Sequence, residues 1–167
     1  MNIVLLEPEI PDNAGNIIRT CAAANTALHL IRPLGFLLGD KHFKRAGMDY
    51  SQLASIKIHD SFNDFMNFCG SSAKIFFATT KSLNKYTDVR YTDDAYIMFG
   101  KESAGIPEEV LKRNSEFAIR IPMANGARSL NLANSVAVVL YEALRQNGFE
   151  GLETAGRMRD GSLLLKE

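Results

Sequence analysis

The chain has 167 residues, 46% of them apolar, and its nineteen Lys and Arg balance nineteen Asp and Glu. That length is one domain's worth, with enough apolar content for a sizeable core. No apolar run approaches the ~18 residues a membrane span needs, and Met1-Asn-Ile-Val-Leu-Leu-Glu7 lacks the basic opening of a signal peptide, so a cytoplasmic location is expected.

Zero net charge leaves no chain-wide basic footprint for nucleic acid. Contact with RNA would rest on local patches, such as Lys41, Lys44 and Arg45, or Arg157 and Arg159, each of which also suits a solvated face. Cys21 and Cys69 are far apart and read as buried thiols, and His29, His42 and His59 show no ligand spacing, so no metal is expected.

In chain order, Asn2 to Leu6 reads as a buried strand. After the loop Glu7 to Asn13, Asp12 or Asn13 is placed to cap a helix over 14–25. His29 to Ile31 is a second strand, closed by Arg32-Pro33-Leu34-Gly35. Asp40 to Ala46 reads as a short basic helix, and Ile56 to His59 as a third strand. Ser61 caps a helix to Cys69, with Phe62, Phe65, Met66 and Cys69 on one face and Gly70 ending it. Lys74 to Thr79 is a fourth strand and Lys81 to Asp94 a polar connection. Ala95 to Phe99 is a fifth strand, and Pro107 opens a helix to Asn114. Phe117 to Ile121 is a sixth strand. Alternating strands and helices argue for an α/β domain with a mainly parallel sheet covered by helices. The expected division is one domain over 1–150 and a polar tail over 151–167.

The longest helix is expected over 131–147, capped by Ser129 and ended by Gly148. Leu132, Val136, Val139 and Ala143 form one apolar stripe, while Val138 and Tyr141 lie on another side. A helix apolar on two sides is buried on two sides. It suits a central core helix or one packed on both its own sheet and a second subunit.

Three loops carry the chemistry. Asn13-Ala-Gly-Asn-Ile-Ile-Arg19 follows strand one, with Asn16 and Arg19 one helical turn apart. It is not the G-x-G-x-x-G of a dinucleotide fold, which argues against NAD or FAD there. Phe99-Gly-Lys-Glu-Ser-Ala-Gly-Ile-Pro107 follows strand five and can turn its N–H groups toward a ligand, although it also suits an ordinary strand-to-helix connection. Ile121-Pro-Met-Ala-Asn-Gly-Ala-Arg-Ser-Leu-Asn-Leu-Ala-Asn134 joins strand six to the long helix.

These three stretches, in this order and at this spacing, resemble motifs 1, 2 and 3 of the SPOUT-superfamily RNA 2′-O-methyltransferases. The similarity runs from Ile3 to about Gly148. The opening Asn2-Ile-Val-Leu-Leu-Glu-Pro-Glu-Ile-Pro11 and Arg45-Ala-Gly-Met-Asp-Tyr50 are most similar to the minimal, TrmL-type tRNA methyltransferase subgroup. The resemblance implies an α/β fold with a C-terminal trefoil knot, a homodimer, and transfer of a methyl group from S-adenosylmethionine to a ribose 2′-hydroxyl. The implied target is the wobble nucleotide, position 34, a cytidine or modified uridine in leucine tRNAs.

By the same resemblance, Ala78, Thr79, Gly100, Ile121, Met123, Ser129 and Leu130 contact the cofactor. Arg19 is the catalytic arginine, supported by Asn16, Glu102, Ser129 and Asn131, with Glu102 placed to hold Arg19 or a donor of the other chain. A guanidinium is a poor base in proteins, so stabilising the developing alkoxide or clamping a phosphate is the easier role for Arg19. Lys41, Lys44, Arg45, Arg128 and Tyr141 are candidates for RNA contact. The alternatives are the same chemistry on another RNA, such as ribosomal RNA, or a non-catalytic RNA-binding or assembly protein on the same fold.

Overall fold

The computed structural model describes residues 1–38 and 55–159; the expected basic helix over 40–46 lies outside them. The elements are β1 (Asn2–Leu6), α1 (Pro11–Ala23), β2 (Ala27–Ile31), β3 (Ile56–His59), α2 (Phe62–Cys69), β4 (Ile75–Ala78), β5 (Tyr96–Phe99), α3 (Glu108–Arg113), β6 (Ala118–Ile119) and α4 (Leu132–Gln146). The six strands form one sheet in the order β3-β2-β1-β5-β4-β6, every neighbouring pair parallel. The chain builds outward from β1 to β3, then crosses to the other half for β4, β5 and β6. All strand C-termini therefore share one edge, where open parallel sheets bind ligands.

Both faces are covered, which explains why the strands read as unbroken apolar runs. Ile3 and Leu5 of β1 pack on one side with Ile17, Ile18 and Cys21 of α1 and Val136, Val139, Leu140 and Ala143 of α4. Val4 and Leu6 point the other way, with Phe65 of α2 and Leu111 of α3. The expected stripe of α4 is thus core-facing. Val138 and Tyr141, on its other side, are 37% and 46% exposed in the single chain.

Local chemistry corrects several boundaries. Helix α1 starts at Pro11, not Ala14, with Ile10 as N-cap and no side-chain cap. Proline suits the first helical position because its missing N–H would be unpaired there anyway. Neither Asp12 nor Asn13 caps it. In β6 only Ala118 and Ile119 pair as a strand, and Ser115–Phe117 form a 3-10 turn instead. Pro107 is the N-cap of α3 rather than inside its first turn. Helix α4 is capped by Asn131, whose side chain accepts from the N–H groups of Ala133 and Asn134, so Ser129 is not the cap. Ser61 caps α2 as expected, accepting from the N–H of Asp64.

A histidine pair is buried away from the loops described above. His29 Nδ1 lies 3.0 Å from His59 Nε2, and the rings stack among Phe65, Phe68 and Tyr96. Burial, then the neighbouring His59 and Lys57, pushes His29 down to about 4; burial also lowers His59. The folded state therefore binds fewer protons than the unfolded chain below the ordinary value of 6.5. Stability from this pair is intact above that value and lost as pH falls towards 4. A His29→Gln/His59→Gln variant should lack that limb, on the order of 2–3 kcal/mol, in urea unfolding followed against pH.

Candidate active site

The loops after β4, β5 and β6 and the start of α4 enclose a cleft of ≈ 520 Å³. That lies within the roughly 300–1,000 Å³ of small-molecule sites. Ala78, Thr79, Gly100, Ile121, Met123, Ser129 and Leu130 all line it, as do Glu102, Arg128 and Asn131. Asn16 and Arg19 do not: both are exposed on α1, and the cleft is reached from that element only by Asn13. Tyr141 is also outside the cleft, and Lys41, Lys44 and Arg45 lie outside the described residues. Among the described residues no group of His, Cys, Asp and Glu is arranged to hold a metal.

The loop after β5 owes its shape to two glycines. A Cβ on Gly100 would sit 2.1 Å from the Gly105 carbonyl carbon, and Gly105 has φ +71°. Such contact with backbone leaves no room for a side chain, and a left-handed φ favours glycine. The N–H of Gly105 closes the loop onto the Lys101 carbonyl at 2.8 Å.

This loop is fastened to the one after β1. Lys101 Nζ meets Glu7 Oε2 at 2.8 Å, and the N–H and hydroxyl of Ser103 donate to the Glu9 carboxylate at 2.9 and 2.8 Å. Those bonds hold the Glu9 carboxyl below the usual range, while Glu7 raises Lys101.

Glu102 does not hold the Arg19 of its own chain. Its Oε2 accepts from the N–H of Glu9 at 2.8 Å, and its Oε1 from the N–H of Ile10 at 3.4 Å and from Asn13 Nδ2 at 2.9 Å. Asn13 in turn accepts from Asn131 Nδ2 at 2.9 Å. The relay Glu102–Asn13–Asn131 ties all three sequence stretches to the cap of α4. Its centre, Asn13, is only 6% exposed, so it has little water to replace a lost partner.

Asn13, expected as an alternative to Asp12 for the cap of α1, forms this bridge instead. Its partners are 89 and 118 residues away along the chain, so no local spacing shows them. Asn13→Ala should lower the melting temperature by about 2–12 °C, from about 1–3 kcal/mol of lost pairing. Asn13→Asp should be worse despite its similar shape, because it sets a second carboxylate against Glu102. Thermal melts of the two variants decide between these orders.

The description "SpoU rRNA Methylase family" matches residues 1–141. A tRNA (cytidine(34)-2′-O)-methyltransferase of Photorhabdus asymbiotica is 49% identical over 156 residues, covering 90% of this chain and 96% of the relative. One from Yersinia pestis is 46% identical, with the same coverage. A solved structure described as "Structural insights into the 2-OH methylation of C/U34 on tRNA" superposes with a TM-score of 0.84 at 46% identity, covering 88% of this chain and 95% of that one. An AdoMet-bound rRNA methyltransferase from Sinorhizobium meliloti superposes at 0.77 with 28% identity, covering 86% of this chain and 55% of that one. A parallel α/β sheet with three joined loops at its C-terminal edge, matched over nearly its whole length by these enzymes, identifies the chain as a methyltransferase belonging to the SpoU family.

Proposed function

We propose that the chain methylates the ribose 2′-hydroxyl of the wobble nucleotide, position 34, of tRNA, with S-adenosylmethionine as methyl donor. The observation that carries this reading is the identity of 46–49%, over nine-tenths of the chain, to relatives named for that reaction. The cleft suits the cofactor in size. It also offers apolar side chains (Ile121, Met123, Leu130, Leu132 and Val139) beside backbone groups around Gly100, a lining that fits an adenosine. Ala78, Thr79, Gly100, Ile121, Met123, Ser129 and Leu130 hold the cofactor in this reading. When bound, it supplies an electrophilic methyl group.

The chain's own part is to place the ribose hydroxyl in line and to stabilise the charge that develops on its oxygen. Glu102 and Asn131 act by fixing the loops through Asn13, and Ser129 faces the cleft directly. Arg19 and Asn16 lie outside the cleft of their own chain. In a homodimer they would serve the partner's cleft, brought there by the exposed Val138, Tyr141 and Ile10. Arg128 and the Lys41, Lys44 and Arg45 segment are the proposed RNA contacts, with Tyr141 serving either RNA or the dimer interface.

The C-terminal trefoil knot belongs to this proposal. It is supported by the 81–94 connection, which embraces both β6 and the end of α4. Arg120 N–H donates to the Asn84 carbonyl at 2.9 Å, Tyr86 N–H to the Arg120 carbonyl at 2.9 Å, and Gln146 Nε2 to the Val89 carbonyl at 3.1 Å. We take 1–150 as the catalytic domain, 151–167 as an appended tail, leucine isoacceptors as the substrate and the cytoplasm as the site of action. A leucine tRNA transcript should accept methyl groups, and the same transcript with 2′-deoxycytidine at position 34 should accept none. Equal methylation of both would move the target elsewhere.

A further inference from the structure

The cleft contains four cations, and they are not equivalent. Lys101 is engaged by Glu7 at 2.8 Å, and Lys81 by Glu108 at 2.6 Å. Arg128 is exposed on the loop before α4. Arg120 is half-buried, and among the described residues no carboxylate forms an ion pair with it. An arginine at a cleft wall with no carboxylate paired to it is open to an incoming oxyanion.

The backbone of Arg120 is also held rigidly. It follows β6 directly, bonds on both sides to Asn84 and Tyr86, and forms a bridge with Lys85. The loop that carries Asn84 and Tyr86 begins at Thr79, whose N–H donates to the Ile119 carbonyl at 2.8 Å. Arg120 therefore emerges beside the β4 loop, whereas Glu102 sits with Ile10 and Asn13 on the side of the β1 loop. One region of the cleft carries an unmatched positive charge, and another carries a carboxylate already saturated by donors.

We propose that Arg120 is the carboxylate-recognising residue of the cleft, pairing with the α-carboxylate of the cofactor's amino-acid end. This rests on the reading of the cleft as the S-adenosylmethionine site. The cofactor has one oxyanion, that carboxylate, and the planar fork of arginine suits bidentate pairing with it.

The test is calorimetric titration of the full-length protein and its Arg120→Gln variant, without RNA, using two ligands. S-adenosylhomocysteine carries the carboxylate, and 5′-methylthioadenosine lacks the whole amino-acid end. Arg120→Gln should weaken the first by about ten- to a hundred-fold and leave the second within two-fold, with Arg120→Lys in between. Equal weakening of both ligands would make Arg120 structural and overturn the assignment. Unchanged affinity for both ligands would overturn it as well. If the unaltered protein binds neither ligand, the reading of the cleft itself fails.

Discussion

Arg19→Ala should reduce methyl transfer to tRNA by at least about a thousand-fold while leaving S-adenosylhomocysteine affinity within two-fold. The separation follows from geometry. Arg19 is exposed on α1 and is not among the residues that line the cleft, so truncating it should leave the cofactor's surroundings in place. Its proposed work lies on the reacting ribose or the adjacent phosphate, in the cleft of a partner subunit. Subunit mixing tests that placement. Arg19→Ala and Gly100→Ala chains, each inactive alone, are co-refolded in equal amounts. Roughly a quarter of the wild-type rate should return, because half of the dimers are mixed and each mixed dimer has one intact cleft. If Arg19 served its own chain, mixing would restore nothing. Loss of cofactor binding in Arg19→Ala alone would make the residue structural.

Gly100→Ala should abolish cofactor binding, not merely weaken it. The added Cβ would lie 2.1 Å from Gly105 C, 2.3 Å from Ile106 N and 2.4 Å from Gly105 O. All three are backbone atoms, with no flexible side-chain end to move aside. The loop must open, and it is tied to the β1 loop by Lys101, Glu102 and Ser103. The expected result is no detectable S-adenosylhomocysteine binding in a protein that still melts cooperatively. Affinity within a few-fold of wild type would mean that the loop relaxes cheaply and does not shape the cleft.

The sequence showed the frame of the fold wherever a short-range rule applied. β3 falls over Ile56–His59 as expected, and Ser61 and Gly70 bound α2 because caps act within one turn. The stripe of Val136, Val139 and Ala143 marked the buried face of α4. Where two local signals compete, short-range rules do not rank them. Ser129 and Asn131 are both capping residues, and Asn131 caps because the 124–130 loop stays irregular up to it. Pro11 signals an earlier start to α1, in competition with Asp12 and Asn13 as caps, and the helix starts at the proline.

The cleft was legible through the resemblance, because most of its lining comes from the loops after β4, β5 and β6. Its internal wiring was not. The Asn13 relay, the Lys101–Glu7 and Ser103–Glu9 ties and the unmatched Arg120 all depend on which loops the parallel sheet brings to one edge. Neither periodicity nor composition encodes that meeting.

The most direct measurement is transfer of labelled methyl groups from S-adenosylmethionine to bulk tRNA lacking the modification, followed by nucleoside mass spectrometry. The label should appear in 2′-O-methylcytidine or a 2′-O-methyluridine derivative. Label on a nucleobase, or label entering ribosomal RNA and not tRNA, would contradict the account.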